Sequence, residues 1–375
     1  WPDSAMFTTD EIIHNLRYLK QASSFRTRYD YDNLLYIVAG EIVARVSGQS
    51  WEEFTESRIM KPLGMNESAA SFRRIKDLSN IIDAHVTVDG RLKVVPKQEA
   101  KRHNSVGGIY SNISDMSKWV ILQLNRGRHG SSAGEKIFSE EIHREMWSPQ
   151  TVKRVGTTGP YRSNFAFYGL GWNLTDINGY LQVYHTGSHA GIETRVTMLP
   201  ELNLGIIVFT NQQVPEAHQA ITNSIIDGYL GISGYDHVSR LREKVEREQA
   251  MAREITDEVW ATVERRRMES SQEIEAESFA GTYSDAWFGD IIISAENGQL
   301  RFRAEKSPRM RGGMLHYTAN TFIVKWDDRS MDADAFAVFT LDREGKPVSF
   351  TMEAISPLTD FSFDFQDLYL VRSEK

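Results

Sequence analysis

Between Tyr31 and Gly48 the apolar residues return at every fourth position: Leu34, Val38, Ile42 and Val46. That period puts them on one face of a helix, so the pattern predicts a buried apolar face and a C-cap at Gly48. Two capping boxes flank this segment. Thr8-Thr9-Asp10-Glu11 precedes Ile12, Ile13, Leu16 and Leu19, and Ser50-Trp51-Glu52-Glu53 opens a helix that Pro62 and Gly64 terminate. The stretch 68–101 has no regular period and reads as loops with short strands. A Gly107-Gly108-Ile109-Tyr110-Ser111 turn follows, after which Ser114 is expected to cap a helix carrying Met116, Val120, Ile121 and Leu124. The pattern then shortens. Residues 167–172 and 182–184 read as strands leading to His185, while 193–199 and 204–210 form a hairpin across Pro200-Glu201-Leu202-Asn203. Pro215 starts a helix through Ile221, Ile225 and Leu230 that Gly231 closes. Helices followed by an antiparallel sheet with a last helix packed on it make an α+β arrangement.

From residue 236 the composition changes. Arg, Glu, Lys and Gln dominate to residue 278, with Leu241, Val245, Met251, Ile255, Val259 and Val263 near helical spacing. This reads as one long, mostly solvated helix, and the glutamates beside Arg265-Arg266-Arg267 neutralise that basic run. Beyond Phe279, Ile291, Ile293, Leu300 and Phe302 alternate around Asn297-Gly298, a type I′ hairpin signal. Further short strands at 322–324, 336–341, 348–352 and 368–371 predict a small antiparallel β-barrel. The chain therefore divides into a domain at 1–235, a charged helical linker at 236–278 and a barrel at 279–375.

Composition narrows the function by exclusion. With 375 residues, 41% hydrophobic content and a formal charge of -8, the chain is an ordinary globular one and an unsuitable partner for nucleic acid. No apolar run reaches the roughly 18 residues of a membrane span. Without cysteine, disulfides, thiol catalysis and thiolate metal sites are excluded. That lack fits a periplasmic or a cytoplasmic setting. A periplasmic or secreted location is preferred, and any leader would precede Trp1.

Tyr31 and Asn33 stand at the mouth of the first long helix, a rigid place for polar groups facing a cleft. Tyr31-Asp32-Asn33, Gly40-Glu41-Ile42, Ser47-Gly48, Pro62-Leu63-Gly64-Met65 and His185-Thr186-Gly187 together resemble the serine β-lactamase-like family. That family includes class C β-lactamases, D-alanyl-D-alanine carboxypeptidases, D-aminopeptidases and esterases. Its members carry Ser-x-x-Lys, then Tyr-x-Asn, then Lys-Thr-Gly or His-x-Gly. Phe279-Ala280-Gly281-Thr282-Tyr283 resembles the start of the lipocalin-like domain appended to some of them. The resemblance implies a serine hydrolase acting on a small peptide or ester through an acyl-serine. In it, Tyr31 is the general acid/base, and Asn33 holds the substrate and the lysine. His185, Thr186 and Gly187 line the opposite wall, where a substrate strand could pair. A phenol with an ordinary pKa near 10 needs a nearby cation to act as base at neutral pH. His185 in place of lysine attracts a substrate carboxylate less, which favours peptidase or esterase chemistry over β-lactam hydrolysis.

One element is missing: no serine in the chain has a lysine three residues later. The resemblance then implies a nucleophile upstream of Trp1 and a chain that is a fragment. A non-catalytic, ligand-binding relative of penicillin-binding proteins and a β-lactamase are the alternatives. The barrel could restrict the cleft, mediate oligomerisation, or itself bind an apolar ligand. A metal reading is weaker: His185 and His189 have helical ligand spacing, but Gly187 and Gly191 break any helix there. Neither a phosphate-binding glycine pattern nor a metal motif occurs, so no cofactor is expected.

Overall fold

The structure is a computed structural model, and it describes residues 5–97, 104–130, 135–156, 159–268 and 276–373. Residues 98–103 and 269–275, within the irregular stretch and the charged linker read from the sequence, lie outside the described residues. The chain forms two compact units, Gln21–Arg242 and the union of Trp1–Lys20 with Glu243–Lys375.

The first unit is built on a six-stranded antiparallel meander. Its strands are Thr151–Val152, Ala166–Tyr168, Asn173–Ile177, Tyr180–His189, Ile192–Leu199 and Leu204–Thr210, each paired with its neighbour in sequence. Asn178 and Gly179 both take positive φ (51° and 92°), which closes the tight turn before the Tyr180–His189 strand. The stretch 167–172, read as one strand, instead reverses direction. Gly171 at φ 78° turns the chain between Tyr168 and Asn173, so the strand Asn173–Ile177 was missed.

Alternation along the strands gives the sheet two apolar faces. Val183, Val196 and Met198 pack with Val120 of the Ile113–Leu124 helix on one face. Leu199, Leu204, Ile206 and Val208 pack with Ile226 of the Pro215–Leu230 helix on the other. Gly205 permits the first contact, because a Cβ there would stand 2.3 Å from Val120 Cγ1. The Ile113–Leu124 helix is capped by Asn112, whose side chain accepts from the Asp115 N–H, and not by Ser114. Asparagine and serine compete closely as caps, and here the chain turns into the helix two residues earlier.

The Asn33–Ser47 helix forms where expected and ends on Gly48 at φ 70°. Its buried residues are Ile37 and Gly40, however, while Ile42 is 56% and Val46 84% exposed. The apolar row read as buried thus lies largely open. What faces inward is set by close approach: a Cβ on Gly40 would lie 2.5 Å from the Ser105 side chain. Periodicity defines a face; it does not say what covers it.

The second unit is a closed eight-stranded antiparallel barrel running from Gly281–Asp285 to Leu370–Arg372, closed by the pair Ser284↔Val371. Asn297 and Gly298 (φ 53° and 76°) make the hairpin that their sequence announced. The interior is filled by side chains. Tyr283, Phe302, Trp326, Phe339 and Phe350 are fully buried, and Phe279 packs edge-on to Phe322 and Phe339. Such packing leaves the barrel a core and not a container. The His237–Met268 helix lays Val259 and Val263 against Ile323 and Ile355, while Met251 and Ile255 stay exposed.

The opening helix Thr9–Asn15 has the capping box expected of it, with both reciprocal hydrogen bonds between Thr8 and Glu11. It packs within the same compact unit as the barrel. Glu11 pairs with Lys306 at 2.8 Å, and the Asn15 amide donates to Trp287 O at 3.0 Å. Phe7 meets Phe288 with ring centroids 5.9 Å apart.

Candidate active site

The Tyr31-Asp32-Asn33 segment is held by its middle residue. The Asp32 carboxylate accepts from the Leu34 N–H at 2.7 Å and caps the Asn33–Ser47 helix. Asn33 is thereby the first helical residue, and Tyr31 lies just outside the helix in extended chain. The third predicted element is the far half of the Tyr180–His189 strand. Its pairing with Asn173–Ile177 stops at Asn173↔Tyr184, whereas its pairing with Ile192–Leu199 continues to His189. Residues 185–188 therefore project past the end of one neighbouring strand, with Thr186 and Gly187 exposed. A Cβ at Gly187 would come within 2.6 Å of Thr194 Oγ1, so glycine is what lets the hairpin close there.

Folding brings these two elements together. The Tyr31 and His185 rings lie 6.2 Å apart by centroid, although 154 positions separate them in the chain. Three further tyrosines complete an aromatic cluster: Tyr31 is 6.4 Å from Tyr29, 5.9 Å from Tyr36 and 6.1 Å from Tyr168. Within it runs a chain of hydrogen bonds. Tyr36 and Tyr168 hydroxyls are 2.7 Å apart, Tyr168 Oη is 3.0 Å from His185 Nε2, and His185 Nδ1 is 2.6 Å from Thr186 O. A carbonyl only accepts, so Nδ1 carries the proton and, in the neutral ring, Nε2 accepts from Tyr168. Tyr168 then accepts from Tyr36. Neither the Tyr31 hydroxyl nor the Asn33 side chain has a hydrogen-bond partner among the described residues.

Lys153 stands beside this cluster. Its Nζ lies 4.1 Å over the Tyr29 ring and 5.9 Å from the Tyr168 centroid, and it donates to Asn173 Oδ1 at 2.5 Å. Burial pushes its pKa down. Burial also pushes the Tyr31 phenol up to about 12, with Tyr36 and the Asp32 carboxylate adding to the rise. Tyr29 rises to about 12 chiefly by burial, and Tyr168 is raised further, by burial and its bond to Tyr36. His185 moves below its ordinary value, first through burial and then through Lys153, against the hydrogen bond to Thr186. At neutral pH the site thus holds protonated phenols and a neutral imidazole. Tyr31 can give a proton as it stands, and it could take one only beside an added cation.

The sequence pointed to Tyr31, Asn33, His185, Thr186 and Gly187, and the structure gathers them around one place. It did not point to Tyr36, Tyr168 or Lys153. Tyr36 carried a usable signal, one helical turn beyond Asn33 on the same capped helix. Tyr168 and Lys153 carried none, since their contacts with Tyr36 and Tyr29 join residues more than a hundred positions apart. Among the described residues, no group of three or more metal-ligating side chains is arranged to hold an ion, and no helix is long and apolar enough to cross a membrane.

Residues 1–229 match the Beta-lactamase family model, and residues 265–372 match a domain of unknown function, DUF3471. An unguisins hydrolase of Aspergillus campestris is 25% identical over 228 residues, 60% of this chain and 41% of its own length. The chain spans about two fifths of the unguisins hydrolases it matches. Among solved structures, the octameric penicillin-binding protein homologue from Pyrococcus abyssi aligns with a TM-score of 0.53 and 18% identity, over 99% of this chain and 71% of that one. The D-amino acid amidase of Ochrobactrum anthropi, solved with L-phenylalanine, aligns at 0.50 and 17% identity, over 62% of this chain and 67% of its own. A family match covering well over half the chain agrees with the order of the two motifs and with the site they form: the chain belongs to the Beta-lactamase family.

Proposed function

We propose that the protein to which this chain belongs hydrolyses an amide or ester bond through an acyl-serine, with the serine and its lysine contributed from outside residues 1–375. The observation that carries this reading is the approach of Tyr31 to His185 across a 154-residue separation, beside a strand end left open at residues 185–188. In this reading the Tyr31 hydroxyl, without a partner among the described residues, shuttles the proton between the nucleophile and the leaving group. The lysine of the nucleophile pair is the cation that would bring the phenol down from about 12 into a working range. Asn33, whose side chain also has no partner among the described residues, holds the substrate amide or ester together with that lysine. The exposed backbone of Thr186 and Gly187 receives an extended substrate as an added strand.

A neutral His185, occupied by Tyr168 and Thr186 O, offers no charge to a β-lactam carboxylate. This favours peptide and ester substrates, and the hydrolase name of the Aspergillus relatives agrees with bond hydrolysis. The filled barrel argues against a ligand-carrying role for residues 279–375. Rapid mixing of the native-source protein with an activated ester tests the mechanism. An acyl-serine route gives a burst approaching one product per protomer before the steady state. Saturable binding of the ester without turnover would replace it with the ligand-binding reading.

A further inference from the structure

Lys153 is a half-buried cation without an anionic partner: it makes no ion pair among the described residues. Its ammonium rests on the Tyr29 face and on the Asn173 amide oxygen, both uncharged. Burying a charge without an opposite charge beside it is costly. Lys153 lies against Tyr168, and Tyr168 is the donor to His185 Nε2. The other titratable or charged groups around His185 are Tyr31 from the helix mouth, with Asp32 beside it, and Arg195 on the adjoining strand, one position from the pair His185↔Val196. The Asp32 carboxylate is occupied by the Leu34 N–H, and Arg195 by Thr197 Oγ1 and the Tyr184 face. Among these groups, Lys153 is the cation whose charge acts on His185, in the direction that disfavours a second positive charge.

The direction of the hydroxyl chain depends on this. With His185 neutral, protons run from Tyr36 to Tyr168 to Nε2, and Nδ1–H donates to Thr186 O. Were Nε2 protonated, it would donate to Tyr168, whose hydroxyl would swing to Tyr36, reversing both bonds. We propose that Lys153 is a positioning residue of the site: its ammonium keeps His185 an uncharged acceptor and so fixes the direction of the Tyr36–Tyr168–His185 hydrogen-bond chain. It acts through His185 and Tyr168 and not on substrate. The inference deepens the reading of His185 as a wall of the cleft, but its test requires no turnover, so either can fail alone.

The experiment is an NMR titration of the His185 ring nitrogens in the 375-residue chain, in wild type, Lys153→Arg, Lys153→Gln and Lys153→Met. In wild type, the expected tautomer is Nδ1–H, with a midpoint below that of an ordinary histidine. Removing a neighbouring positive charge makes the imidazolium easier to form. Lys153→Gln and Lys153→Met should therefore raise the midpoint measurably, and Lys153→Arg should hold it near wild type. Equal midpoints in wild type and in a folded neutral variant would overturn the proposal, as would an Nε2–H tautomer in wild type. If neither neutral variant folds while Lys153→Arg does, Lys153 is a prop for the Tyr29 face, and the proposal falls as well.

Discussion

The two units of this chain solve opposite problems. The barrel has no open edge, because its last strand pairs with its first, and its interior is closed by Tyr283, Phe302, Trp326, Phe339 and Phe350. Its large buried rings pack against one another, and among its few buried polar side chains are Ser307 and Ser349. The sheet unit is a meander whose terminal strand, Leu204–Thr210, is paired on one side only among the described residues. Its first helix shows Ile42 and Val46 to solvent, and it gathers Tyr29, Tyr31, Tyr36, Tyr168, Lys153 and His185 half-buried at one place. Close packing makes a scaffold, whereas half-buried phenols beside an ammonium that has no ion pair among the described residues have shifted proton affinities. The histidines divide in the same way. Among the described residues, His14 and His316 belong to the barrel unit, and seven histidines belong to the sheet unit.

The sharpest way to break this comparison is to remove the Tyr31 phenol oxygen, which has no partner among the described residues. Tyr31→Phe in the catalytically complete protein should lower kcat by about 10²–10⁴-fold, the range for losing a general acid/base. A change under threefold would make Tyr31 a packing residue like those of the barrel. The converse substitution acts on stability. Phe339→Ala, which opens the barrel core between Phe279, Tyr283 and Phe350, should cost about 3–5 kcal/mol in urea unfolding monitored on barrel peptides. It should leave the chemistry of the tyrosine cluster intact.

A smaller effect separates the units by pH. His218 is buried in the sheet unit, and burial, with the nearby Arg195, pushes it down to about 4. The Glu193 carboxylate, 3.9 Å away, is beyond a good hydrogen bond. With an unfolded value near 6.5, the unfolded chain binds the extra proton between about pH 6.5 and 4. Stability contributed by the neutral ring is complete above that window and declines as pH falls through it, by up to about 3 kcal/mol. Hydrogen exchange, corrected for its intrinsic pH dependence, should show sheet peptides losing protection from pH 7 to 4.5 while barrel peptides keep theirs. The smallest expected effect is at the helix mouth. Asp32→Ala removes the cap of the Asn33–Ser47 helix and should cost about 1 kcal/mol, read as a lower urea midpoint for the sheet unit.

What the sequence disclosed follows the range of the forces involved. Capping boxes at Thr8 and Ser50, the C-cap glycines Gly48 and Gly231, and the Asn297-Gly298 hairpin are decided within a few residues, and all are present. The barrel was legible because its strands alternate around short turns. Misreadings arose where a distant surface decides. The inward face of the Asn33–Ser47 helix is set at Gly40 by Ser105, 65 positions away. Tyr168 meets Tyr36, 132 positions back, as well as the nearer His185, and Lys153 meets Tyr29. The motif residues Tyr31, Asn33 and His185 were found through resemblance to a family, while their supporting residues follow no motif.

The most direct test of the account is labelling of the protein from its native source with a fluorophosphonate, followed by mapping of the modified peptide. The account predicts one labelled serine, three residues before a lysine and outside residues 1–375, labelled far more slowly in the Tyr31→Phe protein. An intact native protein that takes up no label, or one labelled equally fast without the Tyr31 hydroxyl, would contradict it.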